Sequence, residues 1–317
     1  MTLVRVATRG SDLALAQARW VAGRIEAALG VRTELVIVTT SGDRLQHVKL
    51  ADVGGKGLFV KEIEEALLEG RADVAIHSAK DLPAALAPGL VLAAFPERAD
   101  PRDALVARVS GASVASLPQG ARVGTGSARR CAQLLALRPD LVIVPLRGNV
   151  PTRLRRLETE ELDAVVLACA GLDRLGLGAR IAERIPVGLL LPALGQGTLA
   201  LEARAGESLT RDLAALDDPL AALTLAAERA FLVRLQGDCN VPLAGLAERV
   251  AGGSVKLRGL VLLEDGSAVA RGEAEAPESE PAAAGESAAE RVLAAGGAAI
   301  LETLRANASA ASAEPGA

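Results

Sequence analysis

Short apolar runs rich in β-branched residues alternate with longer segments of helical spacing along the first two-thirds of the chain. Residues 3–8 alternate as a strand. Arg9-Gly10-Ser11-Asp12 is a turn with capping chemistry, and 13–29 places Leu15, Val21, Ile25 and Leu29 on a helix that Gly30 closes. A strand over 34–39, a long polar loop over 40–57, a helix over 58–68 and a strand over 73–76 follow. The same order then returns. A strand ends at 121–124, the 125–130 turn opens a helix to Leu137, and 141–144 is a strand. Pro151 sits in the first turn of the next helix, where its missing N–H costs nothing, and 163–167 is a strand. Gly70-Arg71-Ala72-Asp73-Val74-Ala75 is echoed by Glu161-Leu162-Asp163-Ala164-Val165-Val166. The pattern predicts two similar α/β lobes whose strand ends face each other across a cleft.

Polar and Gly/Pro-rich segments divide the blocks. Residues 96–103 and 191–197 read as two crossings between lobes, and 198–203 as a strand returning to the first lobe. A smaller α+β unit follows: a helix over 221–235, a turn at Gly237-Asp238-Cys239-Asn240-Val241-Pro242, strands over 255–263 and 267–273, and a helical stretch over 279–306 broken near Gly296-Gly297. The expected division is domain 1 over 1–98 with 197–217, domain 2 over 99–196, and domain 3 over 218–310. The Ala/Ser-rich segment from Asn307 is expected to lose order, with 311–317 a disordered tail.

Composition narrows the function. A length of 317 residues suits two or three domains, and half the residues are hydrophobic. Aromatics are limited to Trp20, Phe59, Phe95 and Phe231, which argues against base stacking on nucleic acid. The net charge of −4 gives no global field for polyanions, so an anion site must come from clustered arginines. No apolar run is long enough to span a bilayer, and the N-terminus lacks a signal-peptide layout. Cys131, Cys169 and Cys239 are odd in number and widely spaced, which excludes a disulfide framework and a zinc spacing. With only His47 and His77, no metal site is expected. The setting is read as cytoplasmic.

The densest chemistry lies just past a buried strand, at His77-Ser78-Ala79-Lys80-Asp81, where open α/β sheets bind ligands. Asp81 is a candidate catalytic carboxylate or, more plainly, a turn cap. Strand-to-helix turns carry arginine beside Gly or Ser at Arg9-Gly10-Ser11, Ser127-Ala128-Arg129-Arg130 and Arg147-Gly148-Asn149, and Arg174 follows a strand. Arginine at a helix start opposes the helix dipole, so its placement there speaks for anions in a cleft. Val53-Gly54-Gly55-Lys56-Gly57 follows a loop, not a strand, and reads as a lid or a mobile loop. Cys239, in a turn, is a nucleophile, an attachment point or a small buried hydrophobe.

Taken together and in order, these motifs resemble the porphobilinogen deaminase (hydroxymethylbilane synthase) family over nearly the whole chain. They are Ala7-Thr8-Arg9-Gly10-Ser11, Val53 to Glu62, His77 to Asp81, Gly124 to Arg130, Leu146 to Val150, Ala170 to Gly176, Leu194-Gly195-Gln196-Gly197 and Gly237 to Pro242. The resemblance implies two periplasmic-binding-protein-like lobes plus a small α+β domain. It implies a transferase of tetrapyrrole and haem biosynthesis, active as a monomer, that deaminates porphobilinogen. Four molecules would be joined head to tail on a dipyrromethane primer, then released by hydrolysis as linear hydroxymethylbilane. Cys239 would hold the dipyrromethane through a thioether. Asp81 would be catalytic and, with Lys80, Ser127, Arg129 and Arg130, would bind the cofactor. Arg9, Ser11, Arg147, Arg153 and Arg174 would bind substrate carboxylates, with Lys56, Phe59, Lys61 and Gln196 in lid or secondary positions. Gly126 and Ala128 stand where the family reads Ser and Leu, and Asp238 where it reads Gly. A binding protein for a small anion has no use for Cys239 or Asp81, and a cysteine hydrolase lacks a histidine partner beyond His77.

Overall fold

The computed structural model describes residues 2–44, 60–237 and 241–313. The first lobe contains β1 (Leu3–Thr8), α1 (Asp12–Leu29), β2 (Arg32–Ile37), α2 (Ser41–Arg44), α3 (Lys61–Leu68), β3 (Val74–Ser78) and β4 (Leu90–Ala94). The second contains β5 (Asp103–Ala107), β6 (Arg122–Thr125), α4 (Ala128–Leu137), β7 (Val142–Pro145), α5 (Val150–Thr159), β8 (Ala164–Ala168), α6 (Cys169–Arg174) and β9 (Glu183–Arg184). β10 (Leu199–Arg204) and α7 (Ser208–Asp212) lead into a third unit. It is built of α8 (Pro219–Arg234), β11 (Leu243–Val250), β12 (Ser254–Leu262), β13 (Val269–Pro277), α9 (Pro281–Val292) and α10 (Ala298–Ala313).

The two lobes share one plan. Their sheets run β2-β1-β3-β10-β4 and β7-β6-β8-β5-β9. In each, a parallel trio points its carboxyl ends to one side, and the next strand is antiparallel. That antiparallel strand always adjoins a crossing. β5 enters the second sheet directly after the chain leaves the first lobe. β10 returns to pair with β3, as the pattern at 198–203 predicts. The strands are short apolar runs because helices cover both faces. In β3, Val74 and Ile76 pack with Val21 and Ile25 of α1, while Ala75 packs with Ile63 and Leu67 of α3.

The third unit is an antiparallel β11-β12-β13 sheet under α8 and α9, with Phe231 fully buried between them. It is wedged against both lobes. Leu225 of α8 joins Ala79, Leu82 and Ala200 of the first lobe. Ala244 and Leu246 of β11 pack with Leu260 of β12 on Ala132 and Leu191 of the second.

The structure adds strands that the pattern did not predict: β4, β5, β9 and β11. It also carries α10 through Ala313, so the segment from Asn307 expected to be disordered is helical to that point. Ala has the highest helix propensity, and this run continues a helix already anchored by Ile300, Leu301 and Leu304.

Candidate functional site

The carboxyl ends of the two parallel trios face one cavity of about 570 Å³ between the lobes. Each turn contributes a polar side chain for a local reason. After β1, Ser11 caps α1, its Oγ accepting from the Ala14 N–H at 3.3 Å. Ser11 lines the cavity beside Arg9, and its hydroxyl can also donate. After β3, one 3-10 turn, Ala79–Asp81, presents Lys80 and Asp81 to the cavity. Lys80 Nζ donates to Gln196 Oε1 at 3.2 Å. Gln196 sits on the second crossing, and the preceding Gly195 (φ +73°) lies so close that a Cβ would be 3.0 Å from the Ala79–Lys80 peptide.

The second lobe mirrors this. After β6, Ser127 caps α4 by accepting from the Arg130 N–H. After β7, Asn149 caps α5, accepting from Thr152 N–H at 2.9 Å, and Arg153 Nε donates to the Gly148 carbonyl at 2.8 Å. Arg147 lies in that turn and lines the cavity. Arg174, the last residue of α6, reaches across to donate to the Gly197 carbonyl of the crossing at 2.6 Å.

The wall is therefore cationic: Arg9, Lys80, Arg130, Arg147, Arg153 and Arg174 line it, and among the described residues Asp81 is its only carboxylate. Asp81 is exposed there, and no hydrogen bond or ion pair holds it among the described residues, so it is not acting as a turn cap. Burial lowers the pKa of Lys80 to about 8; Arg130 and Arg129 add to this, against Asp81 and Asp103. Burial also lowers Arg153 to about 10, helped by Arg130 and Arg147, and Arg174 to about 10. These three half-buried cations are thus short of counter-charge.

Several expected residues stand elsewhere. Ser127 and Arg129 do not line the cavity. Arg129 Nη1 donates to Asp103 Oδ2 and to the Leu191 carbonyl, both at 2.7 Å. Arg130 also pairs with Asp103, Nη2 to Oδ1 at 2.7 Å, although it lines the cavity. Burial would raise Asp103, but the two guanidiniums hold it well below the usual carboxylate range. His77 points away, its Nε2 2.9 Å from Glu202 Oε2 in the sheet interior. Lys61 begins α3 with an exposed side chain near Glu65. Cys239, Lys56, Phe59 and Asp238 lie outside the described residues.

Sequence reasoning missed Asp103, the anion behind the Arg129-Arg130 pair, and Gln17, which lines the cavity and bonds Ser78 Oγ at 3.3 Å. Gln17 had a signal: it is a polar residue on the helix face that Val21 and Ile25 mark as buried. Asp103 had none, because its partners are distant in sequence.

Comparison with known proteins gives one family. Residues 4–212 match the model described as "Porphobilinogen deaminase, dipyromethane cofactor binding domain", and 222–294 match "Porphobilinogen deaminase, C-terminal domain". Porphobilinogen deaminase of Syntrophotalea carbinolica is 52% identical over 303 residues, covering 95% of this chain and 96% of its own length. That of Roseiflexus castenholzii is 50% identical over 298 residues, covering 93% and 97%. A periplasmic substrate-binding protein of an ABC transporter from Coxiella burnetii shows a weaker likeness in structure. Its TM-score is 0.42 at 15% identity, over 71% of this chain and 96% of that one. The chain belongs to the porphobilinogen deaminase family.

Proposed function

We propose that the cavity between the lobes is where this transferase joins porphobilinogen units, with Asp81 at the reacting centre. The family activity is deamination of porphobilinogen and head-to-tail assembly of four units on a dipyrromethane primer, giving linear hydroxymethylbilane. One observation carries the assignment. Among the described lining residues a single carboxylate, Asp81, faces a wall of arginine and lysine.

That wall suits a dipyrromethane. Its pyrroles carry acetate and propionate groups, and the wall supplies cations for them. The buried Thr198 hydroxyl, in a lining residue, also has no partner among the described residues. When bound, the group supplies a free pyrrole carbon as nucleophile. Lys80 and Arg130 hold its carboxylates. Ser127 and Arg129 act from behind, one capping α4 and the other fixing Asp103. Arg9, Ser11, Arg147, Arg153 and Arg174 hold the carboxylates of the incoming porphobilinogen, each charge-assisted bond contributing about 1.5–3 kcal/mol. Asp81 accepts from the substrate pyrrole N–H and stabilises the positive charge that grows there as ammonia leaves. In this reading it also takes the proton shed at the new bond.

We assign attachment to Cys239, as the family resemblance implies, and the other two thiols suit the role less well. Burial raises Cys169 to about 11 and also raises Cys131, whose Sγ rests on the Glu264 carbonyl. Lys56, Phe59 and Lys61 are assigned to a lid and Gln196 to a supporting position. The reading treats the chain as a cytoplasmic monomer; among the described residues no helix is long and apolar enough to cross a membrane. We propose domain limits at 1–98 with 197–217, 99–196 and 218–310, a division supported by which sheet each strand joins.

The test is single-turnover ammonia release by folded Asp81→Asn whose adduct peptide mapping places on Cys239. Asparagine keeps the size and still caps a turn, so only a catalytic role predicts a loss of about 10²–10⁴. A rate within about tenfold of wild type, roughly 1.4 kcal/mol of barrier, would remove Asp81 from the reacting centre.

A further inference from the structure

The turn that carries Asp81 does not hold the carboxylate. It has no side-chain cap, and among the described residues no hydrogen bond reaches Asp81. The place of Asp81 in the cavity is therefore set by the two flanks of its turn. These are β3 before it and the irregular 82–89 segment that leads to β4 after it.

Both flanks run to one buried group of charges. Side chains alternate along β3, so His77 shares with Ala75 the face that α3 covers, while α1 covers the other. On the neighbouring β10, Glu202 shares the face of Ala200, which packs with Leu225 of α8. His77 and Glu202 meet there, Nε2 to Oε2 at 2.9 Å, with the Glu202 side chain fully buried. Oε1 of Glu202 has no partner among the described residues, so His77 is what satisfies this buried acid. Glu64 of α3 interacts electrostatically with both residues, and Arg229 of α8 with Glu202. These outer two hold the downstream flank. Arg229 Nη2 donates to the Pro83 and Ala84 carbonyls at 3.1 and 2.9 Å, and Glu64 Oε1 accepts from the Ala87 N–H at 3.1 Å.

Stability alone does not call for this arrangement. Desolvation offsets much of what a buried ion pair gains, so well-packed aliphatic side chains would serve the fold as well. What hydrogen bonds add over packing is direction, and a catalytic carboxylate without bonds of its own takes its direction from its supports. We propose that His77 is a positioning residue: its pairing with Glu202, flanked by Arg229 and Glu64, fixes both arms of the turn that carries Asp81 and so aims the carboxylate at the reacting pyrrole. This deepens the reading of Asp81 as the reacting centre and rests on it. His77 does not line the cavity, so it acts through Asp81 and not on substrate.

The experiment compares wild type with His77→Leu, His77→Gln and Arg229→Met, with rates counted per folded, cofactor-bearing molecule. Leucine removes the donor, glutamine keeps an N–H of similar reach, and Arg229→Met frees only the downstream arm. A misplacement of about 1 Å costs up to roughly 10²-fold, so kcat should fall about ten- to a hundredfold in His77→Leu and about fivefold or more in Arg229→Met. KM should change less than about threefold in both, because Arg9, Arg147, Arg153 and Arg174 stand on other turns. His77→Gln should stay within about threefold of wild type. Hydrogen exchange of the cofactor-free proteins gives a readout apart from activity: in both slow variants it should quicken about tenfold or more across 79–87 and stay unchanged across β6 and α4. Wild-type kcat in His77→Leu, a His77→Gln enzyme as slow as His77→Leu, or unchanged exchange across 79–87 would overturn the proposal. If His77→Leu does not fold, Arg229→Met decides, and wild-type kcat there would overturn it. Adding His77→Leu to Asp81→Asn should cost less than about threefold, because the group being aimed is gone, and an undiminished loss would also overturn it. Near-normal activity of Asp81→Asn alone would instead sink the reading of Asp81 as the reacting centre.

Discussion

Lys80 is the cavity residue whose charge is least secure at working pH. Burial lowers its pKa to about 8, whereas an unfolded lysine holds its proton to about 10.4. Between those values the unfolded chain binds more protons than the native one, so this group's contribution to stability rises with pH. Carboxylate binding runs the other way, since it needs the ammonium form. We expect uptake of the dipyrromethane by the apoprotein to weaken as pH rises through about 8. Lys80→Arg keeps the charge, because guanidinium does not titrate in this range. The fall near 8 should therefore move to higher pH in that variant. An identical descending limb in both proteins would show that another group, or the dipyrromethane, sets it.

At the scale of elements, α4 begins in an unusual way. Two arginines sit in its first turn, where the helix dipole repels them, and Asp103 of β5 offsets both. Asp103 also receives Gln196 Nε2 at 2.9 Å, which ties the second crossing to the same carboxylate. Asp103→Asn leaves two buried guanidiniums with a neutral partner. We expect a loss of about 3–5 kcal/mol in denaturant unfolding. The folded pKa of Asp103 is depressed, so its contribution is present above the unfolded value of about 3.9 and is lost as pH falls through the folded one. The gap between wild type and variant should thus stay level from about pH 5 to 9 and close only in strong acid. A gap under about 1 kcal/mol would mean the cluster is dispensable. This cluster also marks the limit of sequence reading. The repeat of strands and helices was legible because β1, β3, β6 and β8 are short apolar runs flanked by helical periods. The arginine turns were legible because cations at helix starts need a reason. What those arginines bind was not, because Asp103 looks like one acid among many until β5 pairs with β8. β4, β5 and β9 were missed for a related reason: five residues or fewer with Ala or charge among them carry little β signal without their neighbours.

For the whole molecule, the question is what holds three units in one arrangement, and Glu228 of α8 stands at the junction. It is fully buried. Its Oε1 accepts from Arg98 Nη1 at 2.7 Å and from the Ala247 N–H of β11 at 2.9 Å. Its Oε2 accepts from Arg98 Nη2 at 3.2 Å and from the Gly195 N–H. Arg98 lies on the first crossing and Gly195 on the second, and Arg98 Nε donates to the Gln196 carbonyl at 2.9 Å. One carboxylate therefore fastens both crossings to the third unit, and through Gln196 the fastening reaches Lys80 at the cavity wall. Glu228→Gln keeps the shape but leaves the largely covered Arg98 without its counter-charge, which costs up to about 3–5 kcal/mol. We expect the third unit to lose its coupling to the lobes, so that thermal unfolding by calorimetry separates into two transitions where wild type shows one. Adding Arg98→Met removes the stranded charge, and the double variant should regain about 0.5–3 kcal/mol over Glu228→Gln alone. If the two substitutions simply add, the pair does not act as a unit. If Glu228→Gln unfolds in one transition at the wild-type temperature, the crossings are held by packing at Leu225 and Ala244 and not by this charge.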